Sequence, residues 1–215
     1  YALRAEAFDS IAEFGNAEPD ARKAMAAFPD STSGLFQLAL AEQGLGQLDS
    51  AAQHLAELKQ RDPSVEVCYR LAIVQQDRGR LPDALFDVDH AIAMSKAGDP
   101  GTARLHRVKG EVDAMMGDTA SARIELDKAI ALAPDDPVNY NSRGFYVHAW
   151  VGDHRGAIAD YDRAIKLNPN NSNALNNRGW SLYKVGETKK GVKDIQRGRR
   201  KKAFNADVYR NLGVV

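Results

Sequence analysis

Two sets of side chains in the C-terminal half of the sequence have the types and spacing to bind another molecule. They are Asn141, Phe145 and His148 in one set and Asn176, Trp180 and Tyr183 in the other. The members of each set are separated by four and three residues, so an α-helix would present them on one face. An asparagine amide donates and accepts hydrogen bonds, and exposed aromatic rings often dominate binding energy. This combination favours noncovalent recognition of a peptide over bond-making chemistry.

Further polar residues extend this candidate binding surface. The additional candidates are Asn177, Lys184, Arg210 and Asn211. Arg104 and Arg107 form a separate cationic pair that would hold an acidic side chain or a C-terminal carboxylate. Two other interpretations stay open: the asparagines are merely solvated, and Phe145 and Trp180 pack in the protein core.

The sequence contains no known catalytic motif. The five histidines form no H-E-x-x-H motif, and the sequence contains no G-x-S-x-G motif and no phosphate-binding glycine loop. Cys68 is the single cysteine, so an intrachain disulfide is excluded, and its apolar neighbours predict a core position. The aspartate pairs in "DVDH" and "DYDR" are expected to be solvated. The sequence therefore predicts no enzymatic activity, cofactor or metal site.

A basic run near the C-terminus, "KKGVKDIQRGRRKK", indicates a second possible binding surface, separate from the asparagines and aromatic residues. We define the basic patch as Lys189, Lys190, Lys193, Arg197, Arg199, Arg200, Lys201 and Lys202. Three interpretations stay open: a solvated helix face, a contact with an acidic protein, and a contact with nucleic acid or anionic lipid. The run lacks the interleaved aromatic residues that stack on bases, so nucleic acid ranks below a protein partner.

Composition predicts a folded, soluble chain with two differently charged ends. The 215 residues are 44% hydrophobic and 27% charged, with no transmembrane segment and no signal peptide in the sequence. Residues 1–62 hold 5 Lys and Arg against 10 Asp and Glu, whereas residues 172–215 hold 11 against 3. The net charges of −5 and +8 favour different partners for the two ends. The chain starts at Tyr1, which indicates a piece of a longer protein, in either the cytoplasm or the periplasm.

The elements that would position these residues recur along the chain. Gly110, Gly144, Gly179 and Gly213 are 34, 35 and 34 residues apart, and each follows a segment with helical apolar spacing. A second glycine follows seven or eight residues later, as in "MMGDT", "WVGDH" and "KVGET". The repeating unit is therefore two short helices joined by a turn.

The clearest unit is "YNSRGFYVHAWVGDHRGAIADYDRAIKLNP". Gly144, Ala157 and Ala164 are small where two helices must approach closely, and Pro169 ends the second helix. The unit resembles a tetratricopeptide repeat, whose pattern is an aromatic residue, Gly, Ala, an aromatic residue, Ala and a terminal Pro. The resemblance implies an all-α fold: a right-handed superhelical solenoid of antiparallel helix pairs whose first helices line a concave groove.

The pattern divides the whole chain. Five repeats are expected at about 32–64, 65–98, 103–136, 137–171 and 172–205. Residues 1–31 are expected to form a degenerate helical pair, with Pro19 in the first turn of its second helix, and residues 206–215 to begin an unfinished sixth repeat. That unfinished repeat offers a surface for oligomerisation.

Cations replace the family's usual leucine in three repeats. Lys109, Arg143 and Arg178 precede the glycines of the first helices. We expect their aliphatic stems to cover the core while their charges reach water, which weakens these units slightly.

The predicted function is a non-catalytic scaffold that binds a peptide or partner segment in its concave groove. A second interpretation makes the chain the recognition arm of a larger enzyme or assembly factor. A third uses the basic C-terminal helices to contact nucleic acid or another anion.

Overall fold

Helices are the only regular secondary structure in the part of the protein that the structure describes. The structure is a computed structural model that describes residues 7–96 and 98–200, with the side chains of residues 17–96 and 98–198. These residues contain eleven α-helices and no strand, which confirms the predicted all-α class. None of the helices in the described ranges has both the length and the apolar character required to span a bilayer.

The chain divides into two compact units, and the division falls after Val112. The described part of the N-terminal unit is residues 7–112, and that of the C-terminal unit is residues 113–200. The N-terminal unit contains α1 (Ala7–Ala27), α2 (Thr32–Gly44), α3 (Leu48–Arg61), α4 (Val65–Asp77), α5 (Leu81–Met94), a 3-10 turn (Pro100–Thr102) and most of α6 (Ala103–Met115). The C-terminal unit contains α7 (Thr119–Leu132), α8 (Pro137–Arg143), a π-helix (Gly144–His148), a 3-10 turn (Ala149–Val151), α9 (His154–Leu167), α10 (Ser172–Lys184) and α11 (Thr188–Arg200).

The first helix corrects one prediction. Residues 7–27 form the single continuous helix α1, with Pro19 in its interior, and not a helical pair broken near "FGNAEPD". Proline removes one helical hydrogen bond, but the alanine and charged residues around it favour the helix strongly enough for it to continue. Residues 206–215, where a sixth repeat was predicted, lie outside the described residues.

Consecutive helices of the N-terminal unit pack through two apolar clusters. In the first, Leu35 of α2, Leu55 of α3 and Leu71 of α4 are buried together. In the second, Val88 of α5 and Leu105 of α6 are buried with residues of α4. Serines cap the first helices: Ser31 and Ser64 each accept a hydrogen bond from the backbone amide three residues later.

Missing side chains let the paired helices of the C-terminal unit approach closely. A Cβ added to Gly179 would lie 2.8 Å from the Gly191 carbonyl oxygen, and one added to Gly191 would lie 2.5 Å from the Gly179 carbonyl oxygen. In the preceding pair, a Cβ on Gly144 would lie 2.8 Å from the Tyr161 ring. The first glycine of each of these repeats therefore marks a helix crossing.

The first helix of the fourth repeat contains one extra residue, and part of it forms a π-helix. Gly144 and Gly152 are eight residues apart, whereas Gly179 and Gly186 are seven apart. Gly152 and Gly186 both occupy turns with positive φ, at 85° and 88°, which a side chain would strain. Gly144 and Gly179 both lie at helix crossings, and Gly152 and Gly186 both lie in turns. The segment between Gly144 and Gly152 therefore has one residue more to fit between equivalent positions, and it does so by forming the π-helix over Gly144–His148.

The crossing at Gly179 gives the first prediction. Gly179→Ala should lower the free energy of unfolding by about 1 to 3 kcal/mol, because the new methyl group meets the backbone of α11. Urea denaturation followed by circular dichroism measures the change.

Gly34→Ala is the matched control, since its methyl group would meet only side-chain atoms of Met25 and Ser31. Its stability should be unchanged or slightly higher because alanine favours the helix. Equal stability of the Gly179 variant and the wild type would contradict the close crossing.

Candidate protein-binding site

Arginines connect the second helices of the C-terminal unit. Arg143 at the end of α8 binds Asp160 of α9 through two nitrogens, at 2.6 and 2.9 Å, and Asp127 of α7 at 2.7 Å. Asp160 is buried and Asp127 is exposed. Such a paired, forked contact is the strongest type of side-chain ion pair. The bonds to Asp160 raise the pKa of Arg143 above its ordinary value, so this arginine is permanently charged.

Arg178 repeats this arrangement one repeat later. It binds Asp194 of α11 through two nitrogens, at 2.7 and 2.9 Å, and Asp162 of α9 at 2.7 Å. Burial alone would lower the pKa of Arg178, but the bonds to Asp194 and Asp162 outweigh it and raise the pKa. Each arginine therefore joins the second helix of its own repeat to that of the repeat before.

These contacts correct two predictions. Arg143 and Arg178 do not extend their charges into water, because both guanidinium groups are held by carboxylates. The first aspartates of "DVDH" and "DYDR", Asp87 and Asp160, are buried and paired and not solvated. The sequence contains a signal for these pairs, since each arginine is followed 16 or 17 residues later by an aspartate.

The π-helix removes His148 from the predicted binding face. Its Nδ1 lies 2.8 Å from Asp153 Oδ2, and its Nε2 lies 3.7 Å from Asp160 Oδ2. A hydrogen bond from the Gly156 amide and the contact with His148 lower the pKa of Asp153. The expected alignment of His148 with Asn141 and Phe145 is wrong, because it assumed α-helical spacing where the chain forms a π-helix.

The asparagines on α8 and α10 form one direct contact. Asn177 Nδ2 donates a hydrogen bond to Asn141 Oδ1 at 3.1 Å. Asn176 is fully buried, and a Cβ on Gly198 of α11 would overlap its Oδ1. The prediction that Asn176 points toward a ligand is therefore wrong, because that side chain fills the space above Gly198. Asn141 and Asn177 remain as the partly exposed amides.

Aromatic side chains continue this surface along α10. The rings of Trp180 and Tyr183 stack with centroids 5.6 Å apart, and Tyr183 is 48% exposed. Lys184 Nζ lies 4.5 Å from the Trp180 ring centroid, which is a cation–π distance. Asn177, Trp180 and Lys184 are three and four residues apart, so they share one helix face.

Phe145 belongs to an aromatic cluster that the sequence prediction did not include. Its ring makes edge-to-face contacts with the rings of Tyr146 and Trp150, with ring centroids 4.9 and 5.7 Å apart. Trp150 and Val151 are 56% and 58% exposed on the turn after the π-helix. The longer glycine spacing in this repeat is a sequence feature that points to them.

The two arginines predicted to bind an acidic group lie in the N-terminal unit. Arg104 donates to Glu66 at 2.6 Å and lies 4.4 Å from the centre of the Tyr69 ring. Arg107 donates to Glu111 at 2.8 Å. The protein itself therefore already supplies a carboxylate to each arginine.

The described part of the basic patch lies along α11. Lys189, Lys193 and Arg197 are exposed, Lys190 pairs with Glu187 at 2.6 Å, and Arg197 donates to the Pro169 carbonyl at 2.8 Å. The remaining predicted residues lie outside the described side chains: Arg199, Arg200, Lys201, Lys202, Arg210 and Asn211. Within residues 17–96 and 98–198, no group of three His, Cys, Asp or Glu side chains could hold a metal ion.

Family profiles match most of this helical array. One tetratricopeptide profile matches residues 33–64, a second matches residues 69–137, and a third, described as a TPR repeat, matches residues 152–186. Together they span well over half of the chain. The chain is a tetratricopeptide repeat protein. Such proteins are generally non-catalytic scaffolds for protein–protein interaction, and this fold supports that role here.

Solved structures of tetratricopeptide proteins share this fold. The APC/C hetero-tetramer Cut9-Hcn1 matches with a TM-score of 0.79 and 15% identity over 94% of this chain, which spans only 39% of that one. TTC0263, a thermophilic TPR protein in Thermus thermophilus, matches with a TM-score of 0.66 and 22% identity over 83% of this chain and 93% of that one. No curated protein sequence gives a significant match. At these identities, the likeness establishes the fold alone.

The arginine pairs give the second prediction. Arg178→Leu should lower the free energy of unfolding by about 3 kcal/mol, because it leaves the Asp194 carboxylate buried without its partner. Removing both charges in Arg178→Leu/Asp194→Leu should recover most of that loss. Denaturation of the single and double variants forms a double-mutant cycle that measures the coupling.

The matched control is Arg163→Leu, which removes a partly exposed arginine 3.9 Å from the exposed Asp135. That change should cost less than about 1 kcal/mol. If Arg178→Leu is as stable as Arg163→Leu, the arginine bridge contributes nothing to the fold.

Proposed function

We propose that the protein is a non-catalytic scaffold that holds an extended or helical segment of a partner protein on the face formed by α8 and α10. The observation that carries the proposal is the hydrogen-bonded pair Asn141–Asn177, which adjoins the stacked rings of Trp180 and Tyr183 along α10. The first helices of tetratricopeptide repeats line a concave groove, and the position of α8 and α10 as first helices supports the proposal. One similar structure is that of YrrB, a TPR protein with an unusual peptide-binding site, at a TM-score of 0.54, 14% identity and coverage of 90% of this chain and 97% of that one.

The amide pair is suited to a polypeptide main chain. The contact uses the side-chain oxygen Oδ1 of Asn141 and one N–H of the side-chain amide of Asn177. The side-chain N–H groups of Asn141 and the side-chain oxygen of Asn177 have no partner among the described residues. A peptide group offers a matching acceptor and donor, so it can bind both side chains whatever its own side chain is.

The aromatic pair and the lysine select the side chains of the segment. Trp180 and Tyr183 form a rigid apolar platform on which an apolar or aromatic ligand residue can stack. Lys184 is exposed and contacts no carboxylate among the described residues, so its charge is available to an acidic group. The favoured ligand is therefore a segment with an apolar residue close to an aspartate, a glutamate or a C-terminal carboxylate.

The third prediction tests this site by binding. A partner captured from the source cell is titrated against the wild type and two variants. Trp180→Ala should cost about 2 kcal/mol or more, which is a loss of affinity of roughly thirtyfold. Asn177→Ala should cost about 1 kcal/mol, because water partly replaces the lost hydrogen bond.

Ile124→Ala is the matched control, because Ile124 is an exposed apolar residue on the second helix α7. It should bind the partner as the wild type does, and circular dichroism should show that all variants fold. If the partner binds the Trp180 and Asn177 variants unchanged while Lys189 and Arg197 variants lose it, the basic surface of α11 is the binding site and the proposal fails.

A further inference from the structure

A cavity in the N-terminal unit shares no lining residue with the proposed peptide site. It has a volume of about 570 Å³ and lies between the second helices α3 and α5, with Leu71 and Gln75 of α4 also lining it. Phe86 and Met94 line it and are 69% and 40% exposed. Two large apolar side chains exposed in one cavity form an apolar surface that a partner can cover.

A buried ion pair fixes one wall of this cavity. Lys59 donates to Asp87 at 2.5 Å, and its Nζ lies 4.6 Å from the centre of the Phe86 ring. Burial raises the pKa of Asp87, and the bond to Lys59 opposes that rise. Because Lys59 contacts both residues, it holds the Phe86 ring in position above the cavity.

One carboxylate in the cavity lining and one next to a lining residue carry negative charge that is not paired within the described part of the chain. Asp83 lines the cavity, and Asp62 precedes the lining residue Pro63. Both carboxylates are exposed, and neither has an ionic partner among the described residues. An occupant that matches this site must combine an apolar side chain with neighbouring cations.

The chain itself carries such a surface on α11. Val192 is 47% exposed, and Lys189 and Lys193 are exposed three residues before it and one residue after it. The spacing places all three on one helix face. Neither lysine has an ionic partner among the described residues.

We propose that the cavity between α3 and α5 binds the exposed face of α11 from a second copy of the chain. Val192 enters beside Phe86 and Met94, while Lys189 and Lys193 approach Asp83 and Asp62. The contact is heterologous, because two different surfaces meet, so each copy retains one free surface of each kind. Association therefore continues to rings or open chains and does not stop at a symmetric dimer.

Two charge-reversal variants of the full chain test this contact. The cavity variant is Asp62→Lys/Asp83→Lys, and the helix variant is Lys189→Glu/Lys193→Glu. Sedimentation velocity is measured for each over a range of protein concentrations, in about 0.05 M and about 0.5 M salt. The wild type should associate as its concentration rises, and less at the higher salt concentration. Each variant alone should associate at least about tenfold more weakly.

Sedimentation velocity of the two variants mixed together tests the contact most directly. The cavity variant retains its α11 face and the helix variant retains its cavity, and the two reversed surfaces are complementary to each other, so an equimolar mixture should recover the association that each variant alone has lost. Asp20→Lys/Lys166→Glu reverses exposed charges elsewhere and should associate like the wild type. A monomeric wild type at all concentrations, a mixture that stays monomeric, or a wild type that binds duplex DNA through α11 without self-association would each overturn the proposal.

Discussion

The forked contact between an arginine on a first helix and aspartates on two second helices is the interaction on which the C-terminal unit depends. Arg143 fixes α8 against α7 and α9, and Arg178 fixes α10 against α9 and α11. An aliphatic residue at these positions could pack but could not select one rotation of the helix. The paired nitrogens and oxygens select it, because both bonds form in only one orientation. The positions of Asn141, Asn177 and Trp180 follow from that orientation.

The close helix crossings make these contacts possible. Gly179 and Gly191 bring the backbones of α10 and α11 together, and Asp194 lies within one turn of Gly191 on the same helix. A wider separation would leave Asp194 buried beyond the reach of Arg178, and an isolated buried charge is strongly unfavourable. Glycine packing and ion pairing are therefore two parts of one constraint.

The fold class could be predicted from the sequence because it depends on small residues at a fixed period. The site could be predicted only in part. Trp180 and Tyr183 lie on a regular helix, so their α-helical spacing predicted a shared surface that the structure contains. His148 could not be placed in this way, because one additional residue before Gly152 changes the local hydrogen-bonding pattern. Asn176 and Asn177 are neighbours of one type, but Asn176 lies three residues before Gly179 on the buried face of α10, against Gly198, and Asn177 does not.

The central claim is that a partner protein binds the face of α10 that carries Trp180 and Tyr183. Site-specific photo-crosslinking in the source cell tests it most directly, with a photoreactive phenylalanine in place of Tyr183 or, in a separate variant, of Ile124. Both side chains are about half exposed, at 48% and 55%, but Ile124 lies on the second helix α7. The account predicts that the probe at position 183 attaches to one peptide of a partner protein and that the probe at position 124 does not. Attachment of the same partner at position 124 and not at position 183 would contradict it.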